Sequence, residues 1–583
     1  VNTYLQYDFK GMEKVFTQPI EIIKANKIEN VPEAFKKVER ALSKGYYVAG
    51  YVSYEAAPAF DTSYYVSDNS VLPLIWFGVF EEDQPGNKKL DNNSSYTLSE
   101  WKNTISRDRY DQMIEKIKSL IGQGITYQVN YTTRLKAHFS GDSHSFYQQL
   151  LRNQSASYCA YLNIEDYQIL SISPELFFHV DNGKIKTKPM KGTIKRGKTL
   201  EEDSELKKQL QSSKKDQAEN VMIVDLLRND LGRIAKPGSI TVKSLFEIEQ
   251  YPTVHQMTST IEAVLEEDKT VWDWFEALFP CGSITGAPKV ETMKQIAEIE
   301  TTPREVYCGA IGWIGPDRQA VFSVPIRTVW INNETGVAAY GTGSGVTWHS
   351  NKEDEYAEWK QKAAFLSDNR PTFSLLESIL LENGTYPLLD YHLKRLHDSA
   401  IYFSYKWNKK ELIHHLSELA NKYPHGKYKV RLLLDQHGSI SVTADHINEL
   451  SEPIHSLIAL KPISSDNVFL YHKTTNRSIY KNYDQYLPEG YMTTLLWNEN
   501  GFLTEFTIGN VVFEKNGMYY TPPVSDGLLN GTMRAKLIDK KIIKEKQIPV
   551  QNIDEYDQIW FINSVRGWLK VELLETNNSS TFR

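Results

Sequence analysis

A helical pattern that runs down to residue 365 stops at LSDNRP, residues 366–371, and a new series of strands and helices opens at Phe373. Pro371 lacks a backbone N–H and biases the residue before it away from helical geometry, so no helix continues through this point. The 583-residue chain therefore divides into a block at 1–366, a linker at 367–372 and a block at 373–583. Each block is long enough to bury its own core. Both mix helix and strand, which predicts an α/β class with mixed α+β character. Apolar residues at 41% and charged residues at 24% suit a globular chain with several cores.

Several classes of function fall away. A net charge of −7 gives no broad field for nucleic acid. The most apolar early stretch, VLPLIWFGVF at 71–80, is about half the roughly 20 residues a membrane helix needs. The first residues, VNTYLQYDFKGMEK, lack a basic-then-apolar signal. Cys159, Cys281 and Cys308 are too far apart for a CxxC pair and read as buried thiols in a reducing compartment. The expectation is a cytoplasmic protein engaging neither nucleic acid nor membrane.

In the first block, EEDQPGNKKLDNNSSYTLSE at 81–100 reads as a surface loop. Tyr110, Met113, Ile114, Ile117, Leu120 and Ile121 then recur at helical spacing, closed near Gly122 and Gly124. After them Tyr127, Val129 and Tyr131 alternate as in a strand. Chemistry-bearing residues follow. Glu175 lies in SPELFF, and Lys191 in KTKPMKGTIKRG sits between Pro189 and Gly192, which predicts a turn that holds the amine. KDQAENVMIVDLLRNDLGR at 215–233 reads as a helix with Glu219 near its start. In HSNKEDEYAEWKQKAAF, Glu355, Glu358 and Lys362 share one helix face.

Taken singly, these are ordinary surface charges. Carboxylates converging from separate helices would suit Mg²⁺, which takes oxygen ligands and keeps several waters. Spacing leaves open whether Glu219 meets Glu355 and Glu358. The glycine clusters FPCGSITGAPK at 279–289 and YGTGSGVTWHS at 340–350 match neither GxxxxGK[ST] nor GxGxxG. They fit a backbone cradle for a small carboxylated ligand, or simply tight turns.

The second block holds Lys473 in FLYHKTTNRSIY and Glu505 in FLTEFTIGNVVF. GLLNGTMRAKLI at 527–538 is a glycine turn running into a helix, and Arg395 lies on the helical YHLKRLHDSA. A lysine, an acid and a phosphate cradle at a helix start are the parts a pyridoxal 5'-phosphate site needs. Singly, each again reads as a surface charge.

SPE, PMKGTIKRG, AENVMIVDLLRNDLGR, FPCGSITGAPK and EDEYAEWKQKA, spread in order over 106–365, resemble the chorismate-utilising enzymes. That resemblance implies a chorismate-binding fold with large antiparallel sheets and helices. Anthranilate synthases resemble this block with a small residue where Lys191 stands, as in PIAGT. PMKGT is similar to aminodeoxychorismate synthase component I. The resemblance implies that Lys191 attacks C2 of chorismate and expels the C4 hydroxyl, with Glu175 as general acid. Ammonia then adds at C4 and expels the lysine. It implies Mg²⁺ at Glu219, Glu355 and Glu358, and substrate contacts from His255, Thr285, Tyr307, Arg327, Gly343, Ser344, Gly345 and Lys362. No cysteine here sits in a glutaminase-like setting, so the nitrogen is expected from free ammonia or from a partner, and the resemblance implies a separate glutamine amidotransferase subunit.

HLKRL, HKTTNR, TEFTIGNVVF and GLLNGTMR, over roughly 373–567, resemble the class IV aminotransferases, which include aminodeoxychorismate lyase. The resemblance implies a two-subdomain α/β fold that binds pyridoxal 5'-phosphate. Lys473 falls on the Schiff-base lysine, Glu505 on the acid for the pyridine nitrogen and Arg395 on the phosphate arginine. Ile508, Gly509, Asn510, Thr532 and Met533 fall on the cofactor pocket. Met533 departs from a usual threonine, leaving the amides of Thr532 and Met533 to serve. The block opens abruptly, so its leading strand is expected to be short or differently built. The LLES at 375–378 is like a tryptophan-binding motif but stands in the wrong block, so no regulatory role is assigned. The combined expectation is synthesis of 4-amino-4-deoxychorismate followed by loss of pyruvate to 4-aminobenzoate, for folate synthesis. An anthranilate-type first block or a transaminase second block are the alternatives. A homodimer through the second block is compatible with this reading.

Overall fold

The computed structural model describes residues 3–84, 95–154, 156–368, 370–485 and 487–574. Within the polar stretch at 81–100, residues 85–94 lie outside the described residues, as does Asn369 of the expected linker. The chain forms two compact units. One comprises Val1–Lys195 and Lys207–Arg370, the other Arg196–Leu206 and Pro371–Arg583.

In the first unit two ten-stranded antiparallel sheets share a core and carry helices on their outer faces. Strand periodicity makes this possible, because successive side chains point to opposite faces. Along Tyr47–Val52, Ala49 and Tyr51 enter the core between the sheets. Val48 and Val52 instead pack beneath the helices Val31–Ser43, Lys214–Leu231 and Val271–Leu278. The apolar run at 71–80 has the same cause. Its strand Ile75–Phe80 is buried at every position because both faces are covered. On the other sheet, the helix Arg107–Gly122 buries Tyr110, Met113, Ile114 and Ile117 at the predicted spacing. Cys159, Cys281 and Cys308 are free and buried.

Two local expectations change. Lys191 is on a strand, Met190–Lys195, rather than in a turn, and a bulge between Met190 and Thr193 breaks its pairing with Val254–Val264. Gly192 takes up that bulge at φ +97°, a left-handed conformation that favours glycine. The glycine run at 340–346 is likewise strand, part of Val337–Val346, paired in continuous register with Gln128–Gly141. Its glycines allow close approach. A Cβ on Gly343 would lie 2.1 Å from the Tyr131 carbonyl oxygen.

The second unit has two sheets. A three-stranded sheet, Leu375–Glu382, Lys427–Leu434 and Ile440–His446, packs against the helices Leu389–Phe403 and Lys409–Lys422. Its leading strand is neither short nor irregular, since Leu375–Glu382 pairs with Lys427–Leu434 over its whole length. The other sheet has eight strands of mixed direction, and Leu503–Phe506 pairs with both Tyr491–Trp497 and Gly509–Lys515. No helix among the described residues is long and apolar enough to cross a membrane.

Candidate active sites

A cavity of about 310 Å³ in the first unit gathers most of the residues singled out there. Its wall includes Glu175, Lys191, Glu219, Tyr307, Arg327, Gly343, Gly345, Glu355, Glu358 and Lys362. Lys191 arrives on its bulged strand, Glu219 on Lys214–Leu231, and Glu355, Glu358 and Lys362 on Lys352–Ala364. Three of the expected residues are not on this wall. Thr285 is buried, with its hydroxyl 3.2 Å from the Gly282 carbonyl oxygen. Ser344 donates to Glu355. His255 is buried on a strand, and strand alternation turns its neighbour Gln256 to the cavity instead.

Burial sets the electrostatics. It pushes the Glu175 carboxyl up to about 7, although a 2.6 Å bond from Ser283 Oγ and the nearby Lys191 charge pull the other way. Burial also lowers the Lys191 amine, against the pull of Glu175 and Glu219. The backbone beneath Lys191 is tied to the next helix by Asn220, whose Nδ2 lies 3.5 Å from the Lys191 carbonyl oxygen. A Cβ on Gly345 would sit 3.2 Å from Lys191 Nζ, so glycine there leaves the amine its room.

Among the acids, burial raises Glu219, and the charge of Glu355 adds to the shift. Glu358 is held below its ordinary value by Lys362, whose Nζ is 2.6 Å from Glu358 Oε1 and 2.9 Å from the Gly343 carbonyl oxygen. Among the described residues no group of three or more His, Cys, Asp or Glu stands close enough to form a metal cage. The donor chemistry still fits Mg²⁺, which is held by one or two carboxylates with water and substrate oxygens completing the shell. Glu219 and Glu355, repelling across the cavity, are the acids a divalent ion would relieve.

Several cavity residues carried no signal at the sequence level, Gln128 and Asn130 among them. These two line the wall, while the alternating Val129 and Tyr131 enter the core. Attention to the apolar half of that strand hid its polar half. Gln128 Oε1 is buried without a hydrogen-bond partner among the described residues.

In the second unit Lys473 is half-buried, and desolvation together with the Arg395 charge brings its amine down to about 8. Glu505 is buried and rises to about 8, with Tyr480 Oη donating at 2.8 Å and the Leu529 N–H at 3.2 Å. Asn510 spans Glu505 and the Leu529 carbonyl oxygen, at 3.3 Å and 2.9 Å. Gly531 caps the helix Thr532–Asp539, placing Thr532 and Met533 in its first turn, where N–H groups lack helical partners. A Cβ on Gly531 would lie 1.9 Å from Asn510 Oδ1, so any larger residue in this turn would displace the Asn510 side chain. Arg395 Nη1 reaches the Asn530 carbonyl oxygen at 3.2 Å, which brings the arginine to the same turn. Ile508 is exposed, and Gly509 packs where a Cβ would meet the Phe561 ring.

Sequence reasoning passed over Glu377, the acid of LLES. It is buried and receives Arg395 and His392. Its sequence signal was an acid among the leucines that open the strand Leu375–Glu382.

Residues 2–368 match the family model described as chorismate binding enzyme. The chain belongs to the chorismate binding enzymes. Residues 374–574 match the model described as amino-transferase class IV, a family that generally depends on pyridoxal 5'-phosphate. Aminodeoxychorismate synthase component 1 of Escherichia coli is 41% identical over 264 residues, 45% of this chain and 58% of that protein. The protein of the same description from Salmonella typhimurium is 40% identical over 260 residues, 45% of this chain and 57% of that one. The match thus spans somewhat more than half the length of these curated relatives. The crystal structure of anthranilate synthase component I from Streptococcus pneumoniae superposes with a TM-score of 0.51 at 24% identity, covering 63% of this chain and 90% of that one. This likeness shows the shared fold.

Proposed function

We propose that the first unit converts chorismate and ammonia to 4-amino-4-deoxychorismate, and that the second eliminates pyruvate from it to give 4-aminobenzoate, a precursor for folate synthesis. The observation that carries the reading is Lys191 on the cavity wall, its amine shifted toward neutrality beside a carboxyl that holds its proton to about 7.

In the first step the neutral Lys191 amine bonds to C2 of chorismate. Both double bonds of the ring diene shift by one position and the C4–O bond breaks, with Glu175 giving its proton so that water leaves. Ammonia then bonds to C4, the double bonds shift back, and the C2–Nζ bond breaks to free Lys191. Gln128 Oε1, buried and without a hydrogen-bond partner among the described residues, is an acceptor suited to an ammonia N–H. Arg327 and Lys362 supply positive charge for the substrate carboxylates, and Tyr307 a hydroxyl. Mg²⁺ held by Glu219, Glu355 and Glu358 would neutralise charge around the substrate. His255, Thr285 and Ser344 support the wall from behind. The ammonia comes free from solution or from a glutamine amidotransferase partner.

In the second unit, pyridoxal 5'-phosphate fits the residues present: Lys473 to carry it, Glu505 for its pyridine nitrogen, and Arg395 with the Gly531–Met533 turn for its phosphate. When bound, it supplies an electron sink for the carbon that loses a proton. Lys473 Nζ removes the C4 proton and returns a proton as the enolpyruvyl group leaves. The proton that Glu505 holds up to about 8 is the one a pyridine nitrogen would take, leaving a carboxylate to pair with it, and Tyr480 and Asn510 orient that carboxyl. Loss of pyruvate makes the ring aromatic, so no keto acid co-substrate is needed.

Product analysis tests both steps. The full chain with chorismate, ammonium, Mg²⁺ and pyridoxal 5'-phosphate should form 4-aminobenzoate and pyruvate without added keto acid. Lys473→Ala should accumulate 4-amino-4-deoxychorismate. Anthranilate as the product, or a requirement for a keto acid, would overturn the corresponding half.

A further inference from the structure

Arg196–Leu206 lies inside the stretch matched by the chorismate binding model, yet it belongs to the compact unit that carries Lys473. The segment begins five residues after Lys191 in the chain. It is internally locked. Arg196 Nε and the Gly197 N–H both bond Asp203 Oδ1, at 2.6 Å and 2.9 Å, and the ion pair is almost fully buried. Gly197 is required, because a Cβ there would lie 2.2 Å from the Asp203 nitrogen.

This lock grips Tyr402. Arg196 Nη2 donates to the Tyr402 carbonyl oxygen at 2.9 Å, and its guanidinium lies 4.2 Å above the Tyr402 ring. In return Tyr402 Oη donates to the Gly197 carbonyl oxygen at 2.7 Å. The Tyr402 ring packs on His472, with centroids 4.3 Å apart, and Phe403 meets the same imidazole edge-on at 4.8 Å.

His472 is pinned through both nitrogens. Nε2 is 3.1 Å from the Lys198 carbonyl oxygen, and Nδ1 is 2.9 Å from Ser399 Oγ. A carbonyl only accepts, so Nε2 carries the proton and Nδ1 accepts from the serine hydroxyl. Burial brings the imidazole down to about 4, so it stays neutral in this tautomer near pH 7. The next residue is Lys473. Its carbonyl oxygen takes the Leu376 N–H at 2.9 Å, and Thr475 N bonds the Ser374 carbonyl oxygen at 2.9 Å. The backbone on one side of Lys473 is thus set by the leading strand, and on the other by a histidine that the 196–206 segment holds.

We propose that Arg196, Asp203 and the Lys198 carbonyl, residues of the chorismate-binding stretch, are positioning groups for the Lys473 amine in the second reaction, acting through Tyr402 and His472. The proposal rests on Lys473 being the cofactor lysine. It assigns the second unit a structural part that no chain starting at residue 371 contains.

The test uses the full chain loaded with pyridoxal 5'-phosphate, comparing wild type with Arg196→Ala, Arg196→Lys, His472→Phe and Tyr402→Phe. Tyr402→Phe keeps the ring and removes one hydrogen bond, so it serves where larger changes fail to fold. Two quantities are read: the pH midpoint of the visible absorbance of the lysine-bound cofactor, and kcat against KM for pyruvate release from supplied 4-amino-4-deoxychorismate. His472→Phe and Arg196→Ala should move the midpoint by about half a unit or more. They should lower kcat about tenfold with KM nearly unchanged, as expected for a displaced amine. Arg196→Lys should recover part of both, and Tyr402→Phe should move both in the same direction by less. Folded variants, Tyr402→Phe included, with wild-type midpoint and kcat would overturn the proposal. Borohydride labelling separates this from its foundation: a wild-type chain that takes no label at Lys473 overturns the cofactor assignment itself.

Discussion

Glu377 grips Arg395 with both carboxylate oxygens, at 2.9 Å to Nε and 2.6 Å to Nη2, and takes a further 2.6 Å bond from His392 Nδ1. Burial works against the charge on Glu377, but Arg395 and then His392 outweigh it and hold the carboxyl down to about 2. His392 reaches onward, its Nε2 3.3 Å from Thr532 Oγ1. One carboxylate thus orients both the arginine and the helix start proposed to hold a phosphate. Glu377→Ala removes the carboxylate partner of Arg395, whose side chain is 13% exposed, so the cost should fall somewhat below the ~3–5 kcal/mol of a fully buried pair. We expect cofactor binding weakened by about 100-fold or more, read by titrating the apo chain with pyridoxal 5'-phosphate. Unchanged affinity would remove Glu377 from the cradle.

Lys191→Ala should lower chorismate amination by about 10³-fold or more, because no other amine replaces the nucleophile. Chorismate affinity should change little, and pyruvate release from supplied 4-amino-4-deoxychorismate should be unaffected. Full turnover in this variant would rule out a covalent lysine.

Glu175 must be protonated to serve as an acid, and it holds its proton up to about 7. The ratio of wild-type to Glu175→Gln amination rate should therefore be flat below about pH 7 and fall as pH rises above it, from an initial value of about 10²–10⁴. A ratio independent of pH from about 6 to 9 would contradict the acid role.

Glu505 bears on stability as well as chemistry. Its carboxyl titrates near the ordinary 4.5 when unfolded and at about 8 when folded. Between these values the folded chain keeps a proton that the unfolded chain has lost, so stability falls as pH rises, by up to ~1.4 kcal/mol per unit. Glu505→Gln should abolish this contribution, so the apo variant should gain stability relative to wild type from about pH 5 to 8, seen as diverging thermal midpoints. Parallel midpoints would show that Glu505 is not held protonated.

Metal removal separates the two reactions. Chelation with EDTA should stop amination and restored Mg²⁺ should recover it, whereas pyruvate release from supplied intermediate should continue. Full amination by metal-free protein would exclude Glu219, Glu355 and Glu358 as metal ligands.

Much of this arrangement was legible in order along the chain. Helical spacing marked Arg107–Gly122, the shared face of Glu355, Glu358 and Lys362 was counted directly, and PMKGT and HKTTNR singled out Lys191 and Lys473. These signals are local, because periodicity and turn chemistry act within a few residues. Tertiary structure alone decided which local features meet. Lys191 lies on a bulged strand because its partner strand, more than sixty residues later, sets the register. The glycines of 340–346 pair with a strand some two hundred residues earlier, and their missing side chains make room for Tyr307 and Lys191 rather than for a turn. The burial that raises Glu175 and Glu505 and lowers Lys473 comes from elements distant in sequence. Glu377 looked like a stray acid in LLES until folding placed Arg395 and His392 against it, and Arg196–Leu206 looked like part of one block until it packed with the other. Local sequence specifies which chemical groups are present; desolvation and pairing across the folded core, which no short stretch encodes, specify what those groups can do.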